Sequence, residues 1–366
     1  MESGTSQSKE AQKKKLHWST SLGRQEIEVQ RYLDGKKLVI PFCHSAEMGC
    51  RDYSLLLERV VTDFGADVSF GQVVEKLQEH YGLNIPASAV QNITKKHAKV
   101  CYDLLEEKEG SSIKADCLIG EMDGAMIPIL SFEPNESADR RKWRKTKWKE
   151  ARLSVVRKHN STSKIFLATL GSTDRAGTLL GCCAKRLGWN NKSKVHCLGD
   201  GARWIYEQVD RVFGAQGEYL IDFFHLIEYL ANASKSCCKD NPKEWLKKQQ
   251  TRMKEGGCNV VLAELKTYLE PKEESDENAP VRRCLRYMKN RKGQFDYQSA
   301  IEKKLPIGSG EVESGNRSVV QKRLKIAGAW WKVETAEHIL ALRCVRINGD
   351  WKEYWERYSP NWVEAA

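Results

Sequence analysis

Asp123, Asp200 and the close pair Glu311 and Glu313 are the residues of this chain whose types and positions could do chemistry. Carboxylate oxygens are hard ligands suited to Mg²⁺, which keeps several waters, so three carboxylates and a substrate phosphate suffice to hold it; Mn²⁺ is the natural substitute. Two such ions activate a water or a 3′-hydroxyl and stabilise charge on a phosphate and its leaving oxygen. The chemistry within reach is phosphodiester hydrolysis or transesterification. Glu311 and Glu313 are two positions apart and point about 200° apart on a helix, so only one can face a site. Each group also has a plainer explanation. Asp123-Gly124 is a strong hairpin-turn dipeptide, Asp200 could cap a helix from Ala202 to Phe213, and Ser309 with Glu313 could form a capping box.

The elements around these residues have a recognisable order. Cys117–Asp123 is a short apolar run ending at Asp-Gly, followed by strand-like runs at Met126–Leu130, Ala151–Val156 and Ile165–Leu170. A helix over about 174–187 precedes the strand Val195–Gly199, and a further helix precedes the short strand Glu218–Ile221. Strands first, then helix, strand, helix, strand and helix is the order of an RNase H-like core. In open sheets of this kind the chemistry collects at the carboxyl ends of strands. Asp123 and Asp200 both occupy such ends, on strands that are neighbours in an RNase H-like sheet. The predicted fold class is therefore α/β, with a mixed sheet core, a helical insertion and a preceding helical DNA-binding region.

That preceding region shows helical periodicity from Tyr53. Leu56, Leu57, Val60, Val61 and Phe64 form one apolar face. Ser69 is an expected N-cap for a second helix that Gly82 stops, and Ser88 an expected cap for a third. Helix, Gly-containing turn and helix make a helix-turn-helix arrangement, with Gln91, Asn92, Thr94, Lys95 and Lys96 on the last helix as groups for base edges and phosphates. A plain helical bundle fits the same pattern. The predicted boundaries are 1–15 disordered, 16–110 the N-terminal region, 115–234 with 300–350 the core, 235–299 a charged helical insertion, and 351–366 an aromatic tail.

Composition narrows the partners. The net charge of +11 and pI near 9.0 favour a polyanion. No apolar run is long enough to span a bilayer, and the start offers no signal-peptide segment. The cysteines are scattered or vicinal (Cys182-Cys183, Cys237-Cys238), which fits neither ordinary disulfides nor common zinc spacing. Cys43, His44 and Cys50 remain a weak metal alternative to a reduced cytoplasmic protein. Residues 140–158 carry ten Lys or Arg against the single acid Glu150. Arg140, Arg141, Lys142, Arg144, Lys145 and Lys147, interleaved with Trp143 and Trp148, could neutralise phosphates and stack on bases, or form a solvated face. Arg317, Lys322, Arg323 and Lys325 follow Glu313 within about three helical turns. Trp330 and Trp331 are core residues or holders of a flipped base.

Four blocks in the same order carry a resemblance over about residues 115–350. They are Leu198–Ile205 (LGDGARWI), Asp222–His225 (DFFH), Ile307–Ser314 (IGSGEVES) and Gln321–Trp331 (QKRLKIAGAWW). The chain resembles the Kra-type bacterial insertion-sequence transposases (the ISKra family), relatives of the Mutator-like DDE group. The resemblance implies a metal-dependent DNA transposase with the triad Asp123, Asp200 and Glu313, Glu311 being the alternative third ligand. It also implies a Cys-or-Asp-x-x-His motif at Asp222 and His225, which is structural or positions DNA. The expected partners are transposon terminal repeats and target DNA, met by a homodimer or higher homo-oligomer in the nucleoid-associated cytoplasm of a bacterium, without a membrane. A non-catalytic DNA-binding descendant, or an RNase H-like nuclease without strand transfer, are the competing functions.

Overall fold

The computed structural model describes residues 9–34, 37–45, 53–107, 110–134, 136 and 139–358. Along the chain, β1 (Lys9–Thr20), β2 (Gly23–Asp34) and β3 (Lys37–Val39) form a three-stranded antiparallel sheet. Residues 9–15, expected to be disordered, are thus in a strand, with Lys9–Ala11 and Lys14–Lys15 paired to β2 on either side of a register shift. A short helix α1 (Pro41–Ser45) follows, then α2 (Leu55–Asp67), α3 (Phe70–Tyr81) and α4 (Ala87–Asp103).

The ends of these helices are set by local chemistry. Ser54 accepts from the Leu57 N–H to cap α2. Ser69 and Gln72 form a reciprocal capping box on α3, and Gly82, at φ +63°, ends it in the left-handed conformation. The cap of α4 is Pro86 rather than Ser88, since a Pro φ is already suited to a helix entrance and Ala87 begins the turn. Leu57, Val61, Val73, Leu77, Val90 and Ile93 close a small core among the three helices.

Next come β4 (Cys117–Phe132), β5 (Arg144–Lys158), β6 (Lys164–Thr169), α5 (Thr173–Arg186), β7 (Lys194–Gly199), α6 (Arg203–Phe213), β8 (Gly217–Ile221) and α7 (Phe223–Cys237). The sheet order is β6-β5-β4-β7-β8, with β5–β6 antiparallel and β4–β7–β8 parallel. Asp123-Gly124 is no turn. β4 runs through it without interruption, so the two apolar runs expected as separate pieces are one strand.

Helices α8 (Pro242–Lys254), α9 (Cys258–Thr267), α10 (Pro280–Lys289) and α11 (Tyr297–Glu302) follow. Pro242 and Pro280 open helices at the first-turn position, where a missing N–H costs nothing, instead of merely breaking them. Their apolar faces join Ile119, Leu198, Leu220 and Phe223 in one core, so this stretch is built onto the sheet and does not stand apart from it. Last come α12 (Gly310–Gly315), a π-helical stretch Asn316–Gln321, a single turn α13 (Lys322–Leu324), α14 (Val333–Ile347) and α15 (Trp351–Tyr358).

The chain divides into two compact units. One comprises residues 1–105, 130–146 and 322–366; the other comprises 106–129 and 147–321. Residues 322–350, expected in the sheet core, therefore belong with the N-terminal helices. Arg323 donates to the Gly65 carbonyl, and Arg343 reaches the Ala66 carbonyl and the Asp67 carboxylate. Trp351–Tyr358 is a helix rather than a tail. Tyr354 meets the buried His97 of α4 at 2.7 Å, and the other nitrogen of that ring lies 2.9 Å from Glu58. No helix among the described residues is long and apolar enough to cross a membrane.

Candidate active site

The parallel ladder between β4 and β7 pairs Cys117 with Lys194 and continues to Glu121 opposite Leu198. Asp123 lies within β4, two residues past the last β4–β7 pair, and Asp200 directly follows the end of β7. The two carboxylates are close enough to interact electrostatically. Burial pushes the Asp123 carboxyl above the usual range, and the negative charges of Asp200 and Glu150 push the same way. The Gly124 N–H and the Asn316 amide oppose that shift by donating to the carboxylate.

Asp200 is not a helix cap. The N-cap of α6 is Ala202, which makes no side-chain bond, while Asp200 Oδ1 accepts from the Ala202 N–H at 2.7 Å in a tight local turn. The loop is held from outside as well. Tyr287 donates to the Asp200 carbonyl, Arg291 donates to the Gly201 carbonyl, and the Gly201 N–H donates to the Tyr219 hydroxyl. A pocket of about 490 Å³ opens beside it, lined in part by Arg203, Tyr206 and Arg291.

The stretch α12 and its π-helical continuation lie along the same face of the sheet. Residues two apart on β4 share that face, so Glu121 and Asp123 both present to it. Glu121 accepts from the Val312 N–H at 2.8 Å near the start of α12, and Asp123 Oδ2 accepts from Asn316 Nδ2 at 2.6 Å. Gly315 makes this approach possible, because a Cβ there would stand 2.7 Å from Leu153 Cδ2 and closer still to the Phe166 ring. Burial drives the Glu121 carboxyl up to about 7.

The two candidate third ligands differ in their surroundings. Glu311 is engaged by Lys164 and faces Arg157 at 3.9 Å. Glu313 is exposed and sits three positions before Asn316, hence one turn away on the helix face that meets Asp123. The capping box expected for Ser309 and Glu313 does not form. Ser309 makes no side-chain cap and instead gives both its N–H and its hydroxyl to Asp222 Oδ2. Asp222 Oδ1 accepts from the Phe224 and His225 N–H groups, so this carboxylate both caps α7 and ties down the loop before α12. His225 lies 3.7 Å from Glu228 and edge-on to Tyr229 and Tyr287. The Asp222 end of the motif is structural.

Three residues near Asp123 escaped the sequence reading. Glu150 lies against Gly124, where a Cβ would come within 2.7 Å of its Cδ, and it pairs with Arg152 at 2.5 Å. Its one signal in the sequence was an acid standing alone in a basic run. Glu121 had its strand spacing of two from Asp123, and Asn316 had none, because only the packing of the helix on the sheet face brings it to Asp123. Among the described residues, no three His, Cys, Asp or Glu side chains converge to hold a metal ion. The Cys43, His44 and Cys50 alternative lies partly outside the described residues.

The expected DNA-contacting groups divide. Lys142, Arg144, Lys145, Lys147 and Trp148 are exposed along the start of β5 or just before it, with Trp143 half-buried and Lys145 paired to Glu133. The Arg140 and Arg141 side chains lie outside the described residues. Arg317, Lys322 and Lys325 are exposed, Lys322 pairing with Asp67 at 2.9 Å. Three expectations need correcting. Lys96 turns inward to Glu58 at 3.0 Å and to the Tyr358 ring, because Glu58 is buried and needs a cation. Thr94 is fully buried and bonds the Val90 carbonyl. Arg323 is withdrawn between the Phe70 and Trp331 rings. Lys95 remains half-buried on the outer side of α4. Of the tryptophan pair, Trp331 is core and Trp330 is exposed.

With this geometry in place, comparison with known proteins adds three findings. Residues 187–358 match the profile of an uncharacterised protein family, UPF0236. No curated protein matches the chain. Among solved structures, the chain is similar to the Drosophila P element transposase strand transfer complex, at 12% identity over 82% of this chain and 80% of that one, with a TM-score of 0.30.

Proposed function

We propose that the protein is a DNA transposase of the DDE type, related to the Kra insertion-sequence group, that cleaves transposon ends and joins them to target DNA. The observation that carries this reading is the closeness of Asp123, just past the last β4–β7 pair, to Asp200, just past the end of β7, near enough for the two charges to interact. The sheet order β6-β5-β4-β7-β8, with its first pair antiparallel, supports an RNase H-like core. The four sequence blocks support the family.

The donors are of the kind Mg²⁺ takes, although the three carboxylates do not converge on one point in this structure. Asp123 and Asp200 offer carboxylate oxygens, Glu313 would offer a third from α12, and the buried Asn316 Oδ1 has no partner among the described residues. When bound, the ions would activate the attacking hydroxyl and neutralise charge on the phosphate. The chain itself supplies the rest. Asn316 orients Asp123, the hydrogen bonds of Tyr287, Tyr219 and Arg291 fix the loop bearing Asp200, and Arg203 and Arg291 attract the phosphate backbone into the adjoining pocket. Lys164 and Arg157 keep Glu311 occupied. Exposed cations along β5 would hold flanking DNA, with a correspondingly salt-dependent affinity.

The test is Mg²⁺- or Mn²⁺-dependent cleavage and strand transfer on DNA carrying the element's terminal repeats. Wild type is compared with Asp123→Asn, Asp200→Asn, Glu313→Gln and Glu311→Gln. Loss of both reactions in the first three, with activity kept in Glu311→Gln, is the expected pattern. Cleavage without joining would favour a nuclease. Metal-independent binding with no cleavage on any DNA would leave a non-catalytic DNA-binding protein and overturn the proposal.

A further inference from the structure

A second pocket, of about 310 Å³, lies wholly within the unit that contains the N-terminal helices and α14. Its lining includes Lys95, Lys332 and Arg323 and no acidic residue. Such a surface repels cations and leaves its own charges uncompensated. Burial and the nearby Lys332 ammonium hold Lys95 below the usual lysine range, so two cations face one another here without a counter-charge. The field is reinforced by the backbone. The pocket touches Ser69 and Phe70 at the start of α3, and Lys332 and Thr335 at the start of α14. Helix N-termini carry partial positive charge and unsatisfied N–H groups, and α14 has no side-chain cap to satisfy them.

Arg323 is the most specific sign of a ligand. It is 1% exposed, its Nε donates to the Gly65 carbonyl, and its guanidinium is sandwiched 4.8 Å from the Phe70 ring and 4.7 Å from the Trp331 ring. Its Nη2 is buried with no hydrogen-bond partner. A buried, unpaired donor on a charged group is costly to keep and calls for an acceptor. The guanidinium plane, fixed by two rings and one carbonyl, is preorganised for an anionic oxygen.

The same pocket keeps an aromatic face wet. Trp330 is 56% exposed on its lining, while the adjacent Trp331 is buried and donates its indole N–H to the Leu324 carbonyl. Gln91 adds an amide that can both donate and accept at a base edge. Three cations, two helix starts, one stacking face and one amide form a set that neither a bare phosphate nor an apolar ligand would use in full.

We propose that this pocket takes a single unpaired nucleotide, its base against Trp330 and Gln91 and its phosphate among Lys95, Lys332 and Arg323. The inference rests on the DNA-cutting reading only for the source of that nucleotide, a displaced or overhanging residue of the substrate. Bases stack on aromatic faces with little sequence preference, so any unpaired base would serve.

The full chain is titrated, with Ca²⁺ in place of Mg²⁺, against fluorescent duplexes of equal length. One carries a short single-stranded flank, one the same flank with abasic sites, and one is blunt; adenosine monophosphate is titrated separately. The flanked duplex is expected to bind at least about fivefold tighter than its abasic counterpart. Trp330→Ala and the pair Lys95→Ala/Lys332→Ala should collapse that ratio towards one, and Trp330→Phe should restore most of it. A ratio of one in wild type, or a ratio untouched by both variants, overturns the proposal. Tight adenosine monophosphate binding with no preference for the flank would assign the pocket to a free nucleotide and overturn the DNA source. If no duplex binds at all, the DNA-cutting reading fails, while loss of adenosine monophosphate binding in Trp330→Ala still decides the pocket.

Discussion

Asn316 Nδ2 donates to Asp123 Oδ2 across 2.6 Å, while the other end of the same buried amide, Oδ1, has no partner among the described residues. Asn316 is the first residue of the π-helical stretch after α12. Such bulges widen a helix locally and gather at functional sites. The wider turn places one amide where it can restrain a carboxylate and leave an oxygen free beside it.

Removing that restraint should be felt in pH dependence. Burial, the largest influence, raises the Asp123 carboxyl, and the Asn316 bond lowers it. Asn316→Ala should therefore move the acid limb of the cleavage–pH profile to higher pH, in addition to lowering the rate by about tenfold or more. Asn316→Asp adds a like charge and should be at least as damaging. A profile unmoved in position would show that Asn316 only packs.

Gly124→Ala forces a Cβ against Glu150. The atoms met are the flexible end of the Glu150 side chain, which can swing aside at the expense of its pairing with Arg152, so the cost is about 1 kcal/mol or less. Denaturant unfolding should show that loss, and Gly124→Ala/Glu150→Ala should recover most of it by emptying the space.

Glu121 predicts an unusual slope of stability with pH. Its carboxyl rises from the usual 4.5 to about 7 in the fold, so the folded state holds the proton more tightly than the unfolded chain. The stabilising contribution is full below the unfolded value and is lost as pH rises through about 7, a difference of order ~3 kcal/mol. Glu121→Gln, which stays neutral, should flatten the slope between pH 4.5 and 7 in a denaturation series. An unchanged slope would place the titrating group elsewhere.

Asp222 should matter for folding before chemistry. It caps α7 with one oxygen and holds Ser309 with the other while almost fully buried. Asp222→Ala leaves these donors unpaired and should cost about 2–4 kcal/mol, read as a lowered Tm. Ser309→Ala should cost less, because the backbone N–H of residue 309 can still donate to Asp222.

Glu311 and Glu313 should separate by assay. Glu311→Gln removes the partner of Lys164 and should lower stability by about 1 kcal/mol or less, since the pair is partly solvated. Glu313→Gln should leave the melting curve in place and abolish cleavage. The reverse pattern would move the third ligand to Glu311.

Much of the local structure was legible in the residues. Ser69, Gln72 and Gly82 bound α3 because capping and left-handed termination act within a few residues. The strand and helix order around Asp123 and Asp200 was readable for the same reason, as runs of apolar residues bounded by Gly and Asp. Misreadings arose where one dipeptide had two local uses. Asp-Gly makes good turns, yet at Asp123-Gly124 the sheet carries the strand straight through.

What the sequence alone determined was therefore most of the elements, with Asp200 just past one strand and Asp123 within another. The tertiary structure decided what stands beside them. Glu150 and Asn316 come to the Asp123 neighbourhood from distant parts of the chain, through a neighbouring strand and a helix face that no short spacing encodes. It also decided which cations leave the open surface. Lys96 and Arg323 look like their neighbours in sequence, yet a buried carboxylate draws one inward and two aromatic rings enclose the other. Periodicity and capping are properties of adjacent residues, whereas proximity and desolvation depend on which surfaces the fold presses together. For that reason the acids Asp123 and Asp200 could be named as candidates from the sequence, while the hold of Lys164 on Glu311 and the exposure of Glu313 came only with the tertiary structure.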